Sequence, residues 1–337
     1  DEKYGELWYW RCFWLMVIGA LHGYFIWFGD ILFHYGLMGM FIFLFRNRSA
    51  RSLIITGCSL LLVGVLFTVS GGPCMEDLKS RSAEIEQLQD AGQALTPEQT
   101  ATLKEWEGIA LLLKPAAERV REDMAAYTAG YSKNFEQRIL IVQMMQTQAT
   151  VAFVIWRVGG LMLIGMALMK LGIISGERPN SFYRKLMFIG YGLGLPIMLA
   201  SAYGMNSHQW DEFWMFGLGG FPNYIGSILV AFGHIALVMT IVKNSILQKL
   251  MARFTAVGRM ALTNYLTHSI VMTTIFYGYG FGLYGQIPRI WQMAFVAAML
   301  TFQLWFSPWW LERNRFGPAE WVWRSLSYWK RQPMAKT

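Results

Sequence analysis

Apolar residues run along this chain in long blocks broken by short polar stretches. The first block, residues 12–45, holds no Lys, Arg or Glu. One membrane span needs ~20 apolar residues, so this block is long enough to cross a bilayer, turn at Gly29-Asp30 and cross back. Continued along the chain, the pattern predicts eight spans, at roughly 12–28, 31–45, 53–70, 149–170, 185–203, 224–242, 259–277 and 291–308. The fold class expected is all-α, a polytopic integral membrane protein with about eight transmembrane helices and an external helical hairpin.

That hairpin is the one large soluble insert. Its periodicity is helical over residues 75–137, with mixed charges and modest apolar content. Thr96-Pro97-Glu98-Gln99 reads as a capping box, with Thr96 as N-cap, Pro97 at the first helical position and Gln99 at the third. Gly92 and Pro115 are expected to break the helices on either side. The insert carries no catalytic motif and reads as a cover or docking element. The organisation expected is three spans in 1–74, the insert at 75–137, five spans in 138–312 and a cytoplasmic interfacial tail at 313–337.

Charge orients this scheme. Arg46, Arg48 and Arg51 follow the second span, Lys170, Arg178, Arg184 and Lys185 the fourth, and Lys243, Lys249, Arg253 and Arg259 the sixth. Arg313, Arg315, Arg324, Lys330 and Arg331 follow the eighth. The alternate connections carry little excess positive charge. The positive-inside rule then places both ends of the chain and the four basic connections in the cytoplasm. The net charge of +8 is therefore a topology signal, not a nucleic-acid patch. Composition agrees, with 55% hydrophobic and only 15% charged residues, against about a quarter charged in soluble domains. Trp8, Trp10, Trp14, Trp305, Trp309 and Trp310 fall near the expected membrane faces. Cys12, Cys58 and Cys74 share no metal-type spacing. The chain starts at Asp1 with neither Met nor a cleavable signal, which suggests a piece of a longer protein.

Candidate chemistry lies in the few polar groups inside the spans, where ionisable side chains are costly and mark functional sites. His22 falls near mid-membrane, with Asp30 and His34 nearer the external side. Arg157, His234 and His268 reach similar depths on three other spans, and Asn264 is one turn from His268. Their coincidence in depth is what a buried polar cavity requires. The alternatives are structural: a packed histidine with a hairpin-tip cap for His22 and Asp30, an ion pair for Arg157, and helix-packing hydrogen bonds for the others. The Gly190-Gly192-Gly194-Pro196 run marks close helix approach or a broken helix, since no strand precedes it as a nucleotide fingerprint would need. Gly-x-Ser-x-Gly, Walker, His-Glu-x-x-His and paired Cys-x-x-Cys patterns do not occur.

Four segments carry a resemblance: Gly19-Ala-Leu-His22 through Gly29-Asp30-Ile-Leu, Trp156-Arg157-Val-Gly159-Gly160 through Gly165, Gly258-Arg259 through Asn264-Tyr265 to His268-Ser269, and Phe316-Gly317-Pro318-Ala-Glu320-Trp321. Together they resemble the YeiB-like family of bacterial multi-pass membrane proteins, whose C-terminal region is classed as a domain of unknown function (DUF418). Family members carry an additional N-terminal hydrophobic region with an Arg-Gly-rich motif, which the resemblance implies this sequence lacks before Asp1. The family is similar in architecture to membrane acyltransferases that move acyl groups from a cytoplasmic donor to an acceptor at the membrane.

Three functions are therefore open. In the first, the protein transfers an acyl group from an acyl-CoA donor to a small or lipid-linked acceptor. His22 is then the catalytic base and Asp30 its orienter, while Arg157, His34, Asn264 and His268 bind substrate. His22 and Asp30 do not share a helix face at a spacing of eight, so their contact requires the hairpin to fold back. In the second, the protein carries a small anion or lipid-linked solute, with Arg157 as the binder and the fifth span as hinge. The third is a non-catalytic envelope scaffold. The partners expected are the lipid bilayer and a small-molecule or lipid-linked substrate, with no nucleic acid and with oligomerisation left open.

Overall fold

Close backbone approach between helices needs residues without side-chain bulk, and the first hairpin has them. In the computed structural model, which describes residues 2–113 and 117–336, helix α1 (Glu2–Phe25) packs against α2 (Leu32–Ile42) and the 3₁₀ turn Phe43–Phe45. A Cβ at Gly36 would lie 2.6 Å from the Cys12 carbonyl, and one at Gly39 would lie 2.8 Å from Cys12 Sγ. Trp8 Nε1 donates to the Gly39 carbonyl at 2.9 Å and closes the pair.

The remaining helices are α3 (Ala50–Asp90), α4 (Pro97–Leu113), α5 (Ala117–Thr128), α6 (Tyr131–Gln146), a π-helical segment (Thr150–Val158) continued by α7 (Gly159–Lys170), and α8 (Asn180–Ser207). After these come α9 (Glu212–Met215), α10 (Gly220–Lys243), α11 (Gln248–Arg259), α12 (Ala261–Phe276), α13 (Arg289–Arg313) and α14 (Pro318–Ser327). The chain is an all-α membrane protein. Among the described residues the only β pairing is an isolated bridge, Asn314 with Ala335. Among the described residues, five helical stretches are long and apolar enough to cross a membrane: Ala50–Asp90, Thr150–Lys170, Asn180–Ser207, Gly220–Lys243 and Arg289–Arg313. The other three expected spans fall on α1, α2 and α12. At 1.5 Å per residue, the 11 residues of α2 reach only about 17 Å and the 16 of α12 about 24 Å, against a hydrocarbon core of about 30 Å.

The contacts divide the chain into two units, Asp1–Ile54 with Glu122–Met166 and Ser245–Thr337, and Ile55–Arg121 with Ala167–Asn244. In the second unit, α8 runs unbroken through Pro196, so its glycines serve helix approach and not a hinge. A Cβ on Gly190 would sit 2.5 Å from the Gly233 amide of α10, and one on Gly194 would sit 2.8 Å from Val230. Such small-residue packing holds helices together where lipid removes the hydrophobic drive. Phe188, Leu199 and Tyr203 on α8 stay exposed, as a lipid-facing surface does. No break in secondary structure marks residue 75, because α3 runs straight through Gly71-Gly72-Pro73. Proline there supplies no backbone donor, and the Gly72 N–H turns to the Phe216 carbonyl at 2.5 Å. Within 75–137, residues through Arg121 cluster with the second unit and later ones with the first.

The capping box at α4 is formed in full. Gln99 N–H donates to Thr96 Oγ1 at 3.2 Å, and Thr96 N–H to Gln99 Oε1 at 2.8 Å. Gly92 sits in a left-handed turn at φ 75°, as expected of a helix break. Pro115 lies outside the described residues. Thr96→Ala is expected to cost about 1 kcal/mol. The first turn of α4 should then exchange its amide hydrogens about fivefold faster, measured by hydrogen–deuterium exchange in detergent.

The first unit builds the site. Its C-terminal tail packs on the first helix: Trp323 Nε1 on α14 donates to the Arg11 carbonyl of α1 at 2.9 Å, and Trp10 meets Trp329 edge-on at 4.9 Å. Glu320 and Arg324, one turn apart, take different partners. Arg324 lies over the Phe316 ring at 4.5 Å. Glu320 instead caps α12, accepting from Thr263 N–H at 3.0 Å and from Thr263 Oγ1 at 2.5 Å.

Candidate functional site

The hairpin folds back far enough to bring His22 onto Asp30. His22 Nδ1 and Asp30 Oδ1 are 2.9 Å apart, with His22 1% and Asp30 8% exposed. The contact depends on Gly19, one turn before His22. A Cβ there would lie 2.2 Å from the Phe33 amide nitrogen and 2.6 Å from Asp30 Oδ2. Asp30 itself is held by the start of α2, its Oδ2 accepting from Phe33 N–H at 2.8 Å. A carboxylate at a helix N-terminus satisfies a backbone amide that has no partner within the helix. Tyr265 on α12 adds a third tie, its hydroxyl donating to Asp30 Oδ1 at 3.3 Å and accepting from Ile31 N–H at 3.2 Å.

This arrangement selects one form of the imidazole. In a neutral imidazole that gives Nδ1–H to the carboxylate, Nε2 carries the lone pair. Nε2 is buried and, among the described residues, has no hydrogen-bond partner. A buried polar atom left unpaired costs free energy, and such atoms in native proteins call for an explanation. The ring is flanked by Tyr265 at 5.0 Å and Trp27 at 6.5 Å between centroids.

Two cavities meet at Tyr265. One, of 690 Å³, is lined by Arg259, Arg315, Glu320, Trp323, Arg324 and Tyr265, among others. Glu320 keeps its charge while it accepts from Thr263, so the lining carries three guanidiniums against one carboxylate and is net cationic. The other, of 720 Å³, is lined by Trp27, Tyr265, His268, Tyr277, Tyr284 and Gln292, with Ser269 and Thr273 among the rest. Behind its wall, Tyr127 stacks on Tyr284 at 4.7 Å and lies 5.2 Å from Tyr277. Burial pushes the Tyr127 hydroxyl up to about 12, and burial also raises that of Tyr284, so both stay neutral.

The other expected ligands are scattered. His268 is exposed and lines the second cavity. His34 is buried away from both, its Nε2 3.0 Å from the Met145 carbonyl and 3.1 Å from Thr150 Oγ1, tying α2 to the start of the π-helical segment. Asn264 is buried between helices, its Nδ2 donating to the Val257 carbonyl and to Ser307 Oγ on α13, both at 3.1 Å. Arg157 lies in the last turn of the π-helical segment with its guanidinium 5.9 Å from the Phe153 ring, and it lines neither cavity. His234 bonds its own helix, Nδ1 to the Val230 carbonyl at 2.8 Å. Sequence reasoning passed over Tyr265, which touches both cavities, and Arg138 on α6. Arg138 is fully buried, donating to the Tyr24 carbonyl at 3.4 Å and Asn134 Oδ1 at 3.2 Å. The signal for Tyr265 was its position one helical turn before His268-Ser269. Arg138 had only its Asn134 neighbour at i−4.

Residues 168–330 match the family described as a protein of unknown function (DUF418). The protein named "Uncharacterized protein YeiB" from Escherichia coli (strain K12) is 31% identical over 319 residues, which cover 93% of this chain and 73% of that protein. The chain belongs to the YeiB-like family. A second relative, "Uncharacterized protein YxaH" from Bacillus subtilis (strain 168), is 29% identical over 332 residues, covering 96% of this chain and 72% of its own. No solved structure matches the chain. The match to YeiB extends across nearly the whole chain, whereas the DUF418 match begins at residue 168. His22 and Asp30 therefore lie outside the named domain, while Tyr265 and the basic cavity's Arg259, Glu320 and Arg324 lie inside it.

Proposed function

We propose that this YeiB-like protein is an integral-membrane acyltransferase of the bacterial inner membrane, with both ends of the chain cytoplasmic. The observation that carries the reading is the buried Asp30–His22 pair with Nε2 unpartnered, beside a tyrosine shared by two cavities. A base held in one tautomer by a carboxylate is the arrangement that general-base catalysis uses. The acceptor hydroxyl gives its proton to Nε2 as its oxygen attacks the thioester carbonyl. The carbon–sulfur bond breaks, and the departing thiolate takes the proton from the imidazolium. Asp30 stabilises that imidazolium without being protonated itself. The three arginines of the first cavity suit the phosphates of an acyl-CoA donor, since guanidinium forks match phosphate oxygens. Arg157, His34 and Asn264 have no part in this version, because each is engaged elsewhere.

The test is purified protein in proteoliposomes with a panel of acyl-CoA donors, following release of the CoA thiol with and without acceptor. Protein-dependent thiol release that requires acceptor supports the reading. A second reading draws on the same shared wall: two cavities parted by one side chain are also what a carrier for a small anion or lipid-linked solute presents. Solute counterflow in the same vesicles, without thiol release, would favour it.

A further inference from the structure

We propose that the 720 Å³ cavity is the acceptor site and that it takes an uncharged, ring-shaped polyol, the chemistry of a glycoside. The proposal rests on the acyl-transfer reading and specifies its second substrate. The described residues lining this cavity include no Lys, Arg, Asp or Glu, in contrast to the three arginines and one glutamate of its neighbour. An ammonium acceptor would need a carboxylate there, and a phosphorylated one would need a guanidinium, because an unpaired ion in such a site is costly. The polar groups it does hold are His268, Ser269, Thr273, Gln292 and the tyrosine hydroxyls.

The walls suit a ring with polarised C–H faces. Trp27, Tyr277 and Tyr284 present aromatic surface, whose negative faces attract positively polarised hydrogens. Those walls are also rigid. Tyr284 N–H donates to the Phe276 carbonyl at 2.8 Å, Gly282 N–H to the Tyr277 carbonyl at 3.0 Å, and Tyr127 stacks behind Tyr284. Gly285 turns at φ 72°, where a Cβ would lie 2.4 Å from Met124 Cε, so the loop closes tightly on α5. Pre-formed apolar walls with a few placed polar groups are the usual make-up of a small-molecule site. Position agrees as well, since Tyr265 and Trp27 both line this cavity and both flank His22.

The experiment is equilibrium dialysis of the full chain in phosphatidylcholine nanodiscs, without donor, against radiolabelled methyl β-D-glucoside. D-Glucosamine and glucose 6-phosphate serve as the cationic and anionic counterparts. The glycoside is expected to bind at least tenfold more tightly than either charged probe. Tyr284→Leu and Gln292→Ala should each weaken it several-fold, and Tyr284→Phe, which keeps the ring, should weaken it less than Tyr284→Leu. A charged probe binding as well as the glycoside, or glycoside binding untouched by both substitutions, overturns the proposal. With acyl-CoA then added, acylation of an amine or phosphate compound alone would also overturn it while leaving the transferase reading standing. Tight, substitution-sensitive glycoside binding with no acylation would keep the site and remove the transferase reading.

Discussion

His22→Gln is expected to lower acyl transfer by about 10²–10⁴-fold, the usual worth of a positioned general base, while the protein remains folded. Glutamine is close to histidine in size and its amide N–H can still donate to Asp30 Oδ1, so the buried carboxylate keeps a partner. What it lacks is a basic nitrogen to take the acceptor's proton. Asp30→Asn should fall in the same range for a different reason. It preserves the shape of the contact but removes the charge that opposes the imidazolium, and its amide can turn the imidazole into the wrong tautomer. The check is the initial rate of CoA thiol release in proteoliposomes across a pH series, beside the thermal unfolding midpoint of each variant. Equal rates in parent and His22→Gln, with matching midpoints, would remove His22 as the base and turn its pairing with Asp30 into a structural one.

Gly19→Ala should do comparable damage without touching either member of the pair. Its new methyl group would lie 2.2 Å from the Phe33 amide nitrogen and 2.6 Å from Asp30 Oδ2, closer than any real contact. The hairpin must therefore open, moving the carboxylate from His22 and from the amide that caps it. Overpacking of this kind costs about 1–3 kcal/mol. A displacement near 1 Å at a catalytic group can cost about 10² in rate. Gly23→Ala on the same helix is the control, because its Cβ would meet Val142 at 3.5 Å and Asp30 Cβ at 3.6 Å, ordinary packing distances. The comparison uses unfolding midpoints and thiol release for both variants. A Gly19→Ala protein as stable and active as Gly23→Ala would mean that the tight fit at Asp30 has no role in the site.

Much of this protein was readable in one dimension. Apolar runs mark membrane helices because a segment in lipid must satisfy its backbone internally, so α3, α8, α10 and α13 announce themselves by length and composition alone. The capping box at Thr96 was readable for a similar reason, as its partners are three residues apart. The glycines of α8 were legible as a feature but not in meaning. Close approach and a broken helix leave the same mark in sequence, and only the packing of α8 on α10, where a Cβ on Gly190 would lie 2.5 Å from the Gly233 amide, separates them.

The site was only half legible. That His22 and Asp30 were costly in a membrane followed from their chemistry, and this drew attention to the right hairpin. Depth alone, however, cannot say which way a side chain points around its helix. For that reason Arg157, His34 and Asn264, at suitable depths, proved to be engaged with Phe153, Met145 and Ser307 instead of gathering round one cavity. The sequence by itself determined the all-helical membrane architecture, the costly polar residues and the position of the first turn, since these depend on local composition and spacing. Only the tertiary structure decided that Gly19 lets Asp30 reach His22, and that Tyr265 from a helix over two hundred residues away stands between a cationic cavity and a neutral one. Rotation about helix axes and contact between distant segments are set by packing, which no single stretch of sequence encodes.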